Sequence, residues 1–301
     1  MSHAMKPLDF FIVDVFAEEP LAGNPLAVFF DTADLSSEQM QRLAREMNYS
    51  ETTFIPSSAP REGAYKVRIF TPAAEIPFAG HPTLGTAFLI RRELVKEPVE
   101  RVVLDLRCGL VPVDFTYRDG EVDLLWMHQQ EPSFGRVLDA AAVHPVLGLE
   151  RSDLDERLPV QEVSTGLPFI VVPLSSLAAL QRAAVRRDAL FQLIAETQAK
   201  AILVFTPYAE SQDDLTVRVF TDFYGVPEDP ATGSANGALA AYLCHYQVLG
   251  SDRVEVSVSQ GAALQRPSRL FLRARREAER IAVSVGGRVK PFARGRLESR
   301  P

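Results

Sequence analysis

Four polar residues stand where this sequence could most readily do chemistry: Glu51, His81, Asp229 and Ser234. His81 follows Gly80 at the start of an apolar, helix-forming stretch. Ser234 follows Gly233 at the start of another, with Asp229 just ahead of it. The first amides of a helix are unpaired donors carrying about half a positive charge, so each such end suits a carboxylate or a developing enolate. Gly80 and Gly233 allow close backbone approach. Glu51, in Asn48-Tyr49-Ser50-Glu51-Thr52, has Ala201 as its positional counterpart in the second half of the chain. A lone acid is what a single-base catalyst needs, because one group can both remove and return a proton. Each residue taken singly also has a structural reading. Asp and Ser are preferred N-caps, glycine serves tight turns, a single histidine is often structural, and spacing does not separate Glu51 from the other acidic residues.

A duplication sets these positions apart. Val67-Arg68-Ile69-Phe70-Thr71 returns as Val217-Arg218-Val219-Phe220-Thr221, and Ile76-Pro77 returns as Val226-Pro227. Gly23-Asn24-Pro25-Leu26-Ala27-Val28 is matched by Gly166-Leu167-Pro168-Phe169-Ile170-Val171, and Thr53-Phe54-Ile55-Pro56 by Val204-Phe205-Thr206-Pro207. The matches keep their order, and the period is too long for a solenoid. In each copy the strand-like segment runs through a Pro-containing loop to Gly80 or Gly233 and then to an apolar helix, so two helix N-termini are expected to face one cleft.

The elements that position them read as follows. Asp9 to Phe16 and Leu26 to Phe30 form a hairpin-like opening around a Gly-Asn-Pro turn. Ser36 with Gln39 fits a capping box, Met40, Leu43, Ala44 and Met47 repeat at helical spacing, and Asn48 is a stop. Thr52 to Ile55 is extended. Tyr65 to Phe70 alternates apolar and charged residues, predicting one strand of antiparallel type with a wet face. Pro82 fits a first helical turn, and Leu84 to Ile90 predicts a centrally buried helix. Strands are predicted at Val102 to Leu106, Val111 to Phe115 and Val122 to Met127, with the domain junction in Gln129 to Gly135. The second half repeats the scheme: extended Leu158 to Val163 and Phe169 to Val172, a helix around Asp188 to Gln198, strands Ala201 to Phe205 and Leu215 to Phe220, and a helix Ala235 to Leu243. Strands Val254 to Val258, Leu270 to Ala274 and Ile281 to Val285 close it. The domains expected are 7–130 and 131–285, with 286–301 a candidate return to the first. This is α+β, each domain a curved, mostly antiparallel sheet around one central buried helix, so no Rossmann-type cofactor site is expected.

The 301 residues suit two domains, and 47% hydrophobic with 24% charged residues is ordinary for a folded chain. A net charge of -7 argues against a nucleic-acid binder, despite the basic run Arg288, Lys290, Arg294, Arg296 and Arg300. No apolar run is long enough to span a membrane and the start lacks a secretory core, so the expectation is a cytoplasmic protein without membrane contact. Ser2-His3-Ala4 ahead of Met5 reads as a vector remnant, which sets residues 1–6 aside. Cys108 and Cys244 are isolated and read as buried thiols. The five histidines, 3, 81, 128, 144 and 245, show no metal-ligand spacing. There is no phosphate loop, no G-x-G-x-x-G and no H-E-x-x-H, and Gly233-Ser234-Ala235-Asn236-Gly237 is not a nucleophile elbow.

Asp14-Val15-Phe16, Gly23-Asn24-Pro25, Ser50-Glu51-Thr52, Arg68-Ile69-Phe70-Thr71-Pro72, Phe78-Ala79-Gly80-His81-Pro82-Thr83-Leu84-Gly85, Glu228-Asp229-Pro230-Ala231-Thr232-Gly233-Ser234-Ala235 and Gln260-Gly261 together resemble the phenazine-biosynthesis isomerase (PhzF-like) family. The resemblance spans essentially the whole chain. It implies the diaminopimelate epimerase-like fold, a homodimer, and a cofactor-independent isomerase acting on a small carboxylated substrate in the interdomain cleft; in the characterised phenazine enzyme that substrate is a dihydro-hydroxyanthranilic acid. It implies that a partly desolvated Glu51, held toward neutrality, moves a proton between carbons, with His81 and Asp229 as helpers and Gly80, Gly233 and Ser234 as substrate-binding residues. Epimerases of the same fold use two opposed cysteines, where this chain has Ala79 and Thr232, so a two-thiol racemase is disfavoured. The alternative is a non-catalytic ligand-binding or partner-binding protein on the same scaffold.

Overall fold

The computed structural model describes residues 8–207 and 212–298; residues 1–6, set aside above, and Arg300 lie outside them. The chain forms two compact units. One runs to Met127 and resumes at Gly287, and the other is His128–Gly286.

The first unit opens with β1 (Leu8–Val15) and β2 (Asn24–Phe30), an antiparallel pair. Gly23 turns the chain between them at φ +66°, where any Cβ would collide with the Val15 carbonyl oxygen. α1 (Ser37–Met47) begins at a capping box in which Ser36 accepts from the Gln39 amide and Gln39 accepts from the Ser36 amide; such a cap stabilises by about 1 kcal/mol. It ends at Asn48 in the left-handed conformation and buries Met40, Leu43 and Ala44. β3 (Glu51–Ile55) then pairs in parallel with β2, Glu51 opposite Leu26.

The strand expected at Tyr65 to Phe70 is interrupted at Val67, giving β4 (Ala64–Lys66) and β5 (Arg68–Phe70). β5 runs antiparallel to β3 and is followed by β6 (Glu75–Ile76), its antiparallel neighbour. α2 (Gly80–Leu89) is buried along nearly its whole length and continues into a π-helical stretch, Ile90–Val95. At Gly85 an added Cβ would stand 2.7 Å from Leu26 and 2.8 Å from Val15, so glycine sets how closely α2 lies on β1 and β2. β7 (Arg101–Leu106), β8 (Gly109–Arg118) and β9 (Glu121–His128) form an antiparallel meander, and β4 joins its edge in parallel with β7. The apolar alternation of Tyr65 to Phe70 is real, but it serves two sheets, and the antiparallel expectation fails for its first half.

In the second unit β10 (Ser133–Leu138) is followed by α3 (Ala140–Val143), β11 (Val160–Ser164) and β12 (Pro168–Pro173). α4 (Leu177–Arg182) and α5 (Arg187–Ala195) lead to β13 (Ile202–Thr206), β14 (Leu215–Thr221) and β15 (Val226–Asp229). α6 (Gly233–His245), buried from Gly233 to Cys244, precedes β16 (Arg253–Gln260), β17 (Ser268–Glu277) and β18 (Arg280–Gly287). The strand order here is β10-β11-β12-β13-β14-β16-β17-β18, with β15 on β14. α6 packs on β11, β12, β16 and β17, while α4 and α5 cover a second cluster that includes Leu180, Leu190, Ile194 and Val204.

β19 (Val289–Leu297) lies antiparallel to β1, from Val289 opposite Val15 to Leu297 opposite Leu8. The duplication is visible in the pairings. β1-β2-β3-β5-β6 alternates antiparallel, parallel, antiparallel, antiparallel, with helix between the two parallel strands, and β11-β12-β13-β14-β15 repeats that order. Each series ends at its buried helix. The fold is thus α+β, in two copies.

Candidate active site

Glu51 is the first residue of β3 and His81 the second of α2. The fold brings their side chains together: His81 Nε2 is 3.4 Å from Glu51 Oε2, with the imidazole 2% exposed and the carboxylate 16% exposed. The imidazole also hydrogen-bonds the backbone carbonyl of Pro25, the last residue of the Gly-Asn-Pro turn. Burial pushes the His81 pKa down to about 3, outweighing the opposite effect of that carbonyl. His81 is therefore neutral near pH 7. β3 and α2 are tied close by, through the paired hydroxyls of Thr53 and Thr86 at 2.9 Å.

Asp229 ends β15, and Gly233 and Ser234 open α6; Asp229 and Ser234 are both buried. Thr232, the N-cap, donates its hydroxyl to Asp229 Oδ2 at 2.6 Å. Gln260, at the end of β16, donates to the Asp229 carbonyl at 2.8 Å and accepts from the Thr232 amide at 3.2 Å. Asn236 donates to Gln260 Oε1 at 2.9 Å and to the Thr232 carbonyl at 3.0 Å. Gln129 holds the Gly233 carbonyl at 3.0 Å, in space that exists because residue 237 is glycine.

Both helix ends are open in the same sense. Ala79, the N-cap of α2, has no side chain to offer, and Thr232 has turned its hydroxyl to Asp229, so neither N-cap side chain caps its helix. The first-turn amides at Gly80 and His81, and at Gly233 and Ser234, keep the electrostatic bias toward an anion.

Under each end lies the same clamp. Arg68 reaches Glu75 with Nε and Nη2, both at 2.8 Å, and lies 5.1 Å from the Phe70 ring centre. Arg218 reaches Glu228 with the same two atoms at 2.9 and 2.7 Å and lies 4.9 Å from the Phe220 ring centre. The hydrogen bond from Arg68 holds the Glu75 carboxyl below the usual range. Each clamp staples the hairpin that leads to its helix, and Glu228 is the immediate neighbour of Asp229.

Sequence reasoning selected Glu51 and His81, which the fold joins, and Asp229, Gly233 and Ser234, which cluster at α6. It missed the Pro25 carbonyl, Asn236, Gln129 and the hydrogen-bonding role of Gln260 and Thr232. For Gln260 and Pro25 a signal existed, since both belong to short tags quoted above. Among the described residues no group of three His, Cys, Asp or Glu side chains is arranged to hold a metal ion.

The family model described as phenazine biosynthesis-like protein matches residues 13–295. The trans-2,3-dihydro-3-hydroxyanthranilate isomerase of Pseudomonas aeruginosa is 40% identical over 287 residues, covering 95% of this chain and 97% of that protein. The crystal structure of a Bacillus anthracis phenazine biosynthesis protein of the PhzF family superposes with a TM-score of 0.88 at 26% identity, covering 98% of this chain and 100% of the other. A probable proline racemase from Agrobacterium radiobacter shares the fold, with a TM-score of 0.67 at 14% identity over 96% of this chain and 92% of its own.

Proposed function

This chain belongs to the phenazine biosynthesis-like protein family and is an isomerase, and from that premise we propose that it moves a proton between two carbons of a small cyclic carboxylate, with Glu51 as the acid and base and no cofactor. The probe of choice is trans-2,3-dihydro-3-hydroxyanthranilate, named for the Pseudomonas aeruginosa relative. The observation that carries the reading is the Glu51–His81 pair, a carboxylate 3.4 Å from a buried, neutral imidazole.

With one ring N–H engaged by the Pro25 carbonyl, the ring nitrogen facing Glu51 is Nε2, the basic one. Protonated Glu51 can donate to it, and a neutral imidazole adds no cation beside the ionised carboxylate. Glu51 takes a proton from one substrate carbon and returns it to another. The double bond between them shifts, and no atom is gained or lost. The charge that spreads over the substrate while the proton is on Glu51 is met by the amides at the start of a helix, which also suit the substrate carboxylate. The start of α6 offers Asp229 and Ser234 as further partners for the polar groups of a small carboxylate.

Incubation with the probe in deuterated water tests this. Wild-type protein is expected to turn the probe over with deuterium entering at carbon. Glu51→Gln is expected to fold normally and to lose about 10²–10⁴-fold in rate, the range of a general acid–base contribution. Full activity in that variant ends the proposal, and binding without exchange in the wild type assigns the scaffold to ligand carriage. Exhaustive dialysis against a chelator is expected to leave turnover unchanged; a loss restored by one metal ion overturns the cofactor-free mechanism.

A further inference from the structure

Gln260 and Gly261 together grip the loop that carries Asp229. Gln260 is 2% exposed at the end of β16. Gly261 follows at φ +80°, and a Cβ there would stand 2.5 Å from the Pro230 carbonyl oxygen, so only glycine lets the backbone lie against that loop.

The direction of the hydrogen bonds around Gln260 follows from its backbone partners. The Asp229 carbonyl can only accept, and the Thr232 amide can only donate. One end of the Gln260 amide lies 2.8 Å from the former and the other 3.2 Å from the latter, which fixes the nitrogen end and the oxygen end. Asn236 Nδ2, itself placed by the Thr232 carbonyl, donates to the same oxygen. The Gln260 nitrogen also lies 3.2 Å from Thr232 Oγ1. Thr232 therefore accepts from Gln260, and its single hydroxyl proton points to Asp229 Oδ2, 2.6 Å away.

We propose that Gln260 is a positioning residue for Asp229, acting through Thr232: the relay aims the Thr232 hydroxyl at Oδ2 and so sets the orientation in which the Asp229 carboxyl meets substrate. This rests on the reading of Asp229 as a substrate-facing group. It adds that the N-cap side chain of α6 is here an internal donor, oriented from behind by a buried amide.

The test combines a titration that needs no substrate with turnover of trans-2,3-dihydro-3-hydroxyanthranilate. The Asp229 carboxyl is followed by carbon-13 NMR in the wild type, Thr232→Val, Thr232→Ser, Gln260→Met and the Gln260→Met/Thr232→Val pair, with the amide spectrum confirming the fold. A hydrogen bond to a carboxylate favours its charged form, so Thr232→Val is expected to raise the Asp229 midpoint by about one pH unit. Gln260→Met is expected to raise it in the same direction, Thr232→Ser to restore it, and Gln260→Met to add nothing once Thr232 is valine. On the probe, Gln260→Met is expected to lower kcat about tenfold, the effect of one orienting hydrogen bond, with KM nearly unchanged. An unmoved midpoint in folded Gln260→Met, or an equal further shift in the Thr232→Val background, overturns the proposal. So does a moved midpoint with wild-type kcat. If the midpoints move as expected while wild-type protein leaves the probe untouched, the relay stands and the reaction assignment falls.

Discussion

Arg68 and Arg218 hold Glu75 and Glu228 in the same two-pronged way, each over a phenylalanine two residues further on, yet the helix ends served by those clamps share almost no reactive group. One end has Ala79 and a histidine against a glutamate; the other has Thr232 bonded to an aspartate and backed by Gln260. The positioning problem is identical in the two copies, because each must hold a hairpin at a fixed distance from a buried helix, and the same bidentate pair solves it. The polar groups beyond the clamps answer to no such shared demand, and they differ at every position. The framework is repeated and the reactive groups have diverged.

The two clamps differ in their third contacts, and that difference can be measured. Arg218 Nη1 also serves the Leu180 and Ala183 carbonyls at the end of α4, at 3.0 and 2.6 Å, whereas Arg68 reaches a hydroxyl, Ser37 Oγ at 2.9 Å. Replacing Arg218 by Met leaves a half-buried carboxylate and freed carbonyls, and is expected to destabilise by about 2–3 kcal/mol, between the ranges for exposed and buried pairs. Next in size is the effect of acid on the first helix end. The unfolded chain holds a proton on His81 below pH 6.5 that the folded chain refuses until about pH 3, so stability falls as pH falls through that window. The slope is up to about 1.4 kcal/mol per pH unit for one group. Denaturant unfolding at pH 7 and pH 5 is expected to show this loss in the wild type and a smaller one in His81→Asn; equal losses would mean that the imidazole is protonated in the folded protein. Smallest is Arg68→Met, expected to cost about 1–2 kcal/mol. Equal costs for the two arginines would mean that the carbonyl contacts of Arg218 contribute nothing.

What the sequence revealed was whatever lay close together along it. Ser36 and Gln39 announce a helix start because the capping partners are three residues apart, and Met40, Leu43 and Ala44 show its buried face. α3 and α4 escaped notice although Asp139 and Ser176 cap them, because helices of four and six residues are too short to display a period. The break at Val67 was invisible for another reason: an alternating pattern records which side chains are buried, not which strand each half pairs with, and the partners of β4 and β5 lie in different sheets. At the candidate site, residue types and the duplication pointed to His81 and Asp229, and the family resemblance pointed to Glu51. Pro25 and Gln260 both lie in the quoted tags, but their roles were hidden because backbone acceptors and neutral amides carry no chemical signature of their own.

The antiparallel seam between β1 and β19 has a consequence for how the protein comes into being. β1 is made before all of His128–Gly286 and β19 after it, so the first unit cannot close its sheet until the second has been translated with all its strands. Until then β1 presents a bare row of amides and carbonyls, the kind of edge along which nascent chains stick to one another. Stopping translation ahead of Val289 would leave that edge permanently open, so β19 doubles as the guard of β1.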